Sequence, residues 1–112
     1  MIIKIKPLSV NNAWKGQRFK TSDYKVYEME VYYKLPNKIV IPDKIKLNIE
    51  FGFSNINSDV DNPAKPFLDI LQKKYNFNDS HIYKLILEKV KVNKGEEYIK
   101  FSFEEYDIQN RN

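Results

Sequence analysis

The amino-acid sequence predicts an α+β domain, a small mixed β-sheet with two helices on one face, in the order β-α-β-α-β-β. Three observations carry this. Ile45, Leu47, Ile49, Phe51 and Phe53 alternate with Lys44, Lys46, Asn48, Glu50 and Gly52, the period of a strand buried on one side. Two other stretches, after Thr21 and after Asn62, repeat apolar residues at helical spacing. Residues 82–92 and 97–103 are rich in β-branched and aromatic side chains, as strands are.

Composition sets the outer bounds. The chain has 112 residues, 42 % hydrophobic and 30 % charged, which suits one folded domain spanning residues 1–112. It has no cysteine, so disulfides and thiolate metal sites are excluded. No apolar run approaches the roughly 20 residues that cross a bilayer, and the N-terminus lacks the pattern of a signal peptide. The expectation is a soluble cytoplasmic protein with no membrane partner. Net charge is +4. Residues 1–25 hold six basic groups against Asp23, whereas the remainder holds 13 basic and 14 acidic groups. A basic segment on a near-neutral body suits a polyanion surface, or simply a well-solvated face.

Taken in order, Ile3 and Ile5 alternate with Lys4 and Lys6 in a short half-exposed strand that Pro7 ends. Residues 8–20 read as a loop marked by Asn11, Asn12 and Gly16. Thr21 or Ser22 caps the first helix, whose stripe is Tyr24, Tyr27, Val31 and Leu35, and Pro36 stops it. The long alternating strand follows. The second helix buries Ala64, Phe67, Leu68, Leu71 and Tyr75, with Asp61 or Asn62 as its cap and an irregular first turn expected at Pro66. A polar turn at 76–81 leads to the last two strands, joined through residues 93–96 as a hairpin. The tail from Glu104 is polar.

The chemistry concentrates at residues 58–69, SDVDNPAKPFLD. Asp59 and Asp61, two apart, share one side of an extended chain. Two such carboxylates repel one another, and a divalent cation with hard-oxygen preference relieves this. Asp79, in the later turn, reaches the same point if its strand pairs beside the one ending at Phe53. Lys65 lies four residues beyond Asp61 and suits a phosphate. The plainer reading is that one carboxylate caps the helix and the other faces water. His81 has no second histidine or cysteine to share a zinc ion, and reads as a turn residue. Trp14 lies among Lys15, Arg18 and Lys20, a ring among cations suited to DNA contact, or else folded against the core edge.

These residues together resemble the RusA family of Holliday junction resolvases. The matching motif is Asp59-Val60-Asp61-Asn62, then Lys65, Asp69 and a distal Asp79, with AKPFLDILQ resembling the family's helix. A second match is the proline-containing turn with paired asparagines and a basic loop, here Pro7, Asn11, Asn12, Lys15, Arg18 and Lys20. This sequence departs from the family in having Asn78 before Asp79 and His81 where glutamine is usual.

The resemblance implies a homodimer that cuts four-way DNA junctions by paired nicks with Mg²⁺ or Mn²⁺. It implies catalytic and metal-binding roles for Asp59, Asp61 and Asp79, and a catalytic role for Lys65. DNA contacts are expected from Asn11, Asn12, Trp14, Lys15, Arg18 and Lys20. Candidate dimer surfaces are the Tyr32-Tyr33 pair and residues 82–92, where both faces carry apolar side chains. Two alternatives stay open on the sequence: a non-catalytic DNA-binding protein of the same fold, and a nuclease for another branched or single-stranded DNA.

Overall fold

The computed structural model describes residues 1–9, 14–15, 19–55, 57–107 and 109, with residues 14–15 and 19–20 described by backbone alone. Its main sheet contains β1 (Ile2–Ile3), β4 (Ile45–Phe53), β5 (Ile82–Lys91) and β6 (Tyr98–Glu105). A small antiparallel pair, β2 (Trp14–Lys15) and β3 (Phe19–Lys20), lies within the stretch read from sequence as a loop. The helices are α1 (Ser22–Lys34) and α2 (Ala64–Tyr75), and a 3₁₀ turn covers Asp79–His81. The α+β class, the mixed sheet and the element order agree with the sequence reading.

β4 owes its central place to its unbroken apolar face. Ile45, Leu47, Ile49 and Phe51 are all buried, and the alternate residues face the open side. Tyr24, Tyr27 and Val31 of α1, and Phe67, Ile70 and Leu71 of α2, join them in one core. Phe67 packs edge-on against Phe101 of β6 at 5.5 Å, locking α2 to the sheet. Ile70, absent from the stripe read in sequence, is fully buried there.

Both helix starts are local chemistry. The Thr21 hydroxyl accepts the Tyr24 amide at 3.1 Å, so Thr21 is the cap of α1, as its sequence suggested. α2 differs: Pro63 occupies the cap position with no side-chain cap. Asp61 contributes its backbone carbonyl, which accepts the Ala64 amide, and the Asn62 amide turns to Asp59 instead. Pro66 falls within the first turn of α2, where amides have no intrahelical acceptor, and the Phe67 amide meets the Pro63 carbonyl at a long 3.4 Å. At the other end, Asn76 adopts the left-handed conformation (φ 54°) that asparagine tolerates at helix ends.

The sheet order β1-β6-β4-β5 corrects the expected hairpin. β5 pairs parallel with β4 on one side and β6 antiparallel on the other, so β5 and β6 never touch as partners. The turn at 93–96 is real, with Glu96 bonded back to Asn93, but it carries the chain across the end of β4. The most apolar strand takes the middle and the mixed-pattern strand goes to the edge. β1 is also shorter than its alternation suggested: its last pair is Ile3 with Ile99, next to the start of β6 at Tyr98, and beyond it the Lys34 ammonium donates to the Lys4 carbonyl at 2.6 Å.

Candidate active site at the end of the central strand

β4, α2 and β5 form a strand-helix-strand crossover with parallel strands. In such units ligand sites gather beyond the carboxyl ends of the strands, where the chain turns into the helix. Asp59 and Asp61 stand in that turn, between Phe53 and Ala64, and both are exposed. The segment is a series of bends rather than an extended strand. Its shape comes from short-range bonds. The Asn57 amide donates to the Asn55 side-chain oxygen at 2.9 Å, and the Asn62 side-chain amide to an Asp59 carboxylate oxygen at 3.5 Å. A longer tie comes from β5, where the Lys89 ammonium donates to the Ser58 carbonyl at 2.7 Å.

A cleft of about 350 Å³ with mixed polar and apolar walls opens beside this turn. Its wall includes Ser58, Asn62 and Pro63 from the turn, Ser54 from the strand end, Lys6 and Asp23 from the segments flanking β2 and β3, and Glu97. The basic N-terminal stretch therefore enters and leaves beside the acidic turn. The Ser54 hydroxyl donates to Glu97 at 2.8 Å, and the Gly95 amide donates to its other oxygen at 2.8 Å. The Ser54 bond, with backbone donors and the Lys6 charge, holds the Glu97 carboxyl below its usual range. Sequence reading passed over Ser54, Glu97 and Lys89. The serine directly following a strand was a weak signal, and the other two join the site only through tertiary structure.

Lys65 is the second residue of α2, and its side chain is 64 % exposed. It points along its own helix to Asp69, at 3.5 Å. Asp79 is not brought to Asp59 and Asp61 within one chain, contrary to the convergence expected from sequence. It begins the 3₁₀ turn before β5, with its amide bonded to Gln72 at 2.9 Å. Ile82 lies across from Ile45 and Lys91 from Phe53. Asp79 thus adjoins the start of β4, whereas the acidic turn follows its end. Eight steps of about 3.3 Å separate those ends by roughly 26 Å. A parallel crossover requires this, since its two connections emerge at opposite ends of the sheet. His81 is exposed and in the same distant turn.

Among the described residues, no group of three or more His, Asp or Glu side chains is arranged to hold a metal ion. Asp59, Asp61 and Asn62 nevertheless offer hard oxygen donors in one exposed turn, and magnesium often takes one or two carboxylates and completes its shell with water and phosphate. The donor set fits such an ion as a partial site. Asn11, Asn12 and Arg18 lie outside the described residues. For Trp14, Lys15 and Lys20 the structure describes the strand pairing alone, with Trp14 across from Lys20.

Comparison with known families decides the relationship: the family model described as endodeoxyribonuclease RusA matches residues 8–101. The chain belongs to the RusA family. The match takes in the acidic turn, α2, the 3₁₀ turn and most of the sheet, so the RusA assignment covers both separated groups of carboxylates. A search of curated proteins returned no match. Among the described residues no helix is long and apolar enough to cross a membrane.

Proposed function

We propose that this RusA-family chain is a divalent-metal-dependent endonuclease that resolves four-way DNA junctions as a homodimer. The observation that carries the reading is the Asp59-Val60-Asp61-Asn62 turn, exposed at the carboxyl end of a parallel strand beside a cleft bordered by the basic segment. Asp59 and Asp61 would hold Mg²⁺ or Mn²⁺. Such an ion, when bound, supplies positive charge against the phosphodiester and activates water. Water adds to phosphorus, the bond to the leaving sugar oxygen breaks, and that oxygen takes up a proton. Asn62 orients the Asp59 carboxylate. Lys65, exchanging Asp69 for a phosphate oxygen, offsets charge that grows on the reacting group. Lys15, Arg18 and Lys20, with Asn11, Asn12 and Trp14, are assigned to the DNA strands flanking the cut.

Asp79 enters this reading through a second copy. Its position at the far end of the same sheet suits a two-fold arrangement in which the partner's Asp79 approaches Asp59 and Asp61, and the reverse at the second site. Two nicks in opposed strands then come from two sites related by the same symmetry. Replacing Asp61 with Asn should abolish cleavage of a four-way junction while leaving junction binding intact. Undiminished turnover would refute the assignment. A panel of duplex, flap, single-stranded and four-way substrates, each with Mg²⁺ and Mn²⁺, fixes the substrate class. The incomplete acid set within one chain favours a second reading, a non-catalytic DNA-binding protein, and absence of cleavage across the whole panel would establish it.

A further inference from the structure

β5 is an edge strand with β4 as its neighbour, and among the described residues no strand lies along its outer rim. It exposes apolar side chains between its charged ones. Tyr83, Leu85 and Ile86 are 56 %, 39 % and 37 % exposed, and an exposed apolar edge invites pairing with another chain. The register with β4 assigns the faces. Lys84, Ile86 and Glu88 lie across from Lys46, Asn48 and Glu50, on the open side. Leu85, Leu87 and Lys89 lie across from the buried Leu47, Ile49 and Phe51, on the helix side.

This register sets like charges side by side, Lys84 by Lys46 and Glu88 by Glu50. The β4 members lean toward β6: Lys46 lies 3.4 Å from Glu104, and Glu50 accepts the Tyr98 hydroxyl at 2.6 Å. The Tyr98 phenol is pushed up to about 12, chiefly by its bond to Glu50, with burial and the charges of Glu50 and Glu88 adding to this. On β4 and β5 the two lysines lie toward one end of the open face and the two glutamates toward the other, with Glu104 and Lys100 of β6 across from Lys46 and Glu50.

The segment Lys84-Leu85-Ile86-Leu87-Glu88 is complementary to itself when reversed: a cation and an anion flank three apolar residues. We propose that β5 is the homodimer seam, adding antiparallel to the partner's β5 in the register that sets Ile86 opposite the partner's Ile86. Lys84 then faces the partner's Glu88 on the open side, and two-fold symmetry makes that pair twice. Leu85 faces the partner's Leu87 on the helix side, likewise twice. The two sheets become one, and the exposed rim is covered. The same register sets the partner's Ile82, which directly follows its 3₁₀ turn, opposite Val90, at the end of β5 from which Lys89 holds the acidic turn. The proposal rests on the dimeric reading above and names the surface and pairing that would produce it.

The test reads self-association without DNA or metal, so its failure is separate from failure of the nuclease reading. Wild-type protein should sediment as a dimer at micromolar concentration, and Lys84→Glu and Glu88→Lys should each weaken dimerisation at least about tenfold, because each replaces two attractive pairs with two repulsive ones. An equimolar mixture of the two variants should recover the dimer, because every cross-strand pair is again of opposite charge. The single-chain Lys84→Glu/Glu88→Lys protein should also recover it, which shows that these side chains act through pairing rather than folding. The absence of cysteine allows a second measurement. Ile86→Cys should oxidise to a linked dimer and Val90→Cys should not, because paired strands hold only the former at disulfide distance from its symmetry mate. A wild-type species of 13.4 kDa, or a mixture that stays monomeric, would overturn the seam. Crosslinking at Val90→Cys in place of Ile86→Cys would overturn the register.

Discussion

At the scale of single residues, the open side of the sheet is more tightly specified than its polarity suggests. Gly52 lies across from Tyr98, and a Cβ there would meet two ring carbons at 2.5 Å. The ring cannot simply turn away, because its hydroxyl is held by Glu50. Gly52→Ala should therefore cost about 1–3 kcal/mol, read from urea midpoints, and adding Tyr98→Ala should remove most of that penalty. Equal stability of Gly52→Ala and wild type would show that the ring yields freely. In sequence, Gly52 read only as one polar-side member of an alternating strand. The close approach depends on which residue of another strand lies opposite, and no local pattern carries that information.

The elements were legible where one periodicity and one stop signal coincided. α1 combines a capping threonine, four core residues at helical spacing and Pro36, and the structure follows all three. Thr21→Ala should lower stability by about 1 kcal/mol through loss of the bond to the Tyr24 amide, and a thermal melt compared with Thr21→Ser resolves it. If serine fails to retain most of the lost stability, the contribution comes from packing instead. α2 was harder to begin, since two polar residues and two prolines competed for its first turn. Backbone geometry at Pro63 and the pull of Asp59 on Asn62 decided the outcome, and both depend on how the acidic turn is folded.

At the scale of the whole molecule, the parallel crossover separates Asp79 from Asp59 and Asp61, and dimerisation is the proposed remedy. Mixing chains tests this directly. Asp61→Asn and Asp79→Asn proteins, each inactive alone, should regain nicking when mixed, because one site in a mixed dimer combines an intact Asp61 with an intact Asp79 from the other chain. That dimer should nick one strand rather than cut in pairs. If both carboxylates act within one chain, mixing restores nothing. Binding belongs to the same scale. Removing the charge of Lys15, Arg18 or Lys20 should lower the salt slope of junction affinity by about one per lost phosphate contact. Unchanged affinity and slope would make the basic segment a solvated face.

The sequence by itself determined the fold class, the two helices, the central strand and the acidic turn. Each of these depends on near neighbours: alternation along Ile45–Phe53, helical spacing around Tyr24 and Phe67, and carboxylates adjoining one helix start. Only the tertiary structure decided that β4 separates β5 from β6, that β5 lies at an edge, and that Asp79 stands at the opposite end from Asp59. Strand order and direction arise from competition among apolar faces for the middle of the sheet. That competition is settled by contacts between residues far apart in the chain, so a periodicity read along the chain reveals which face of a strand is buried but not which neighbour lies beside it.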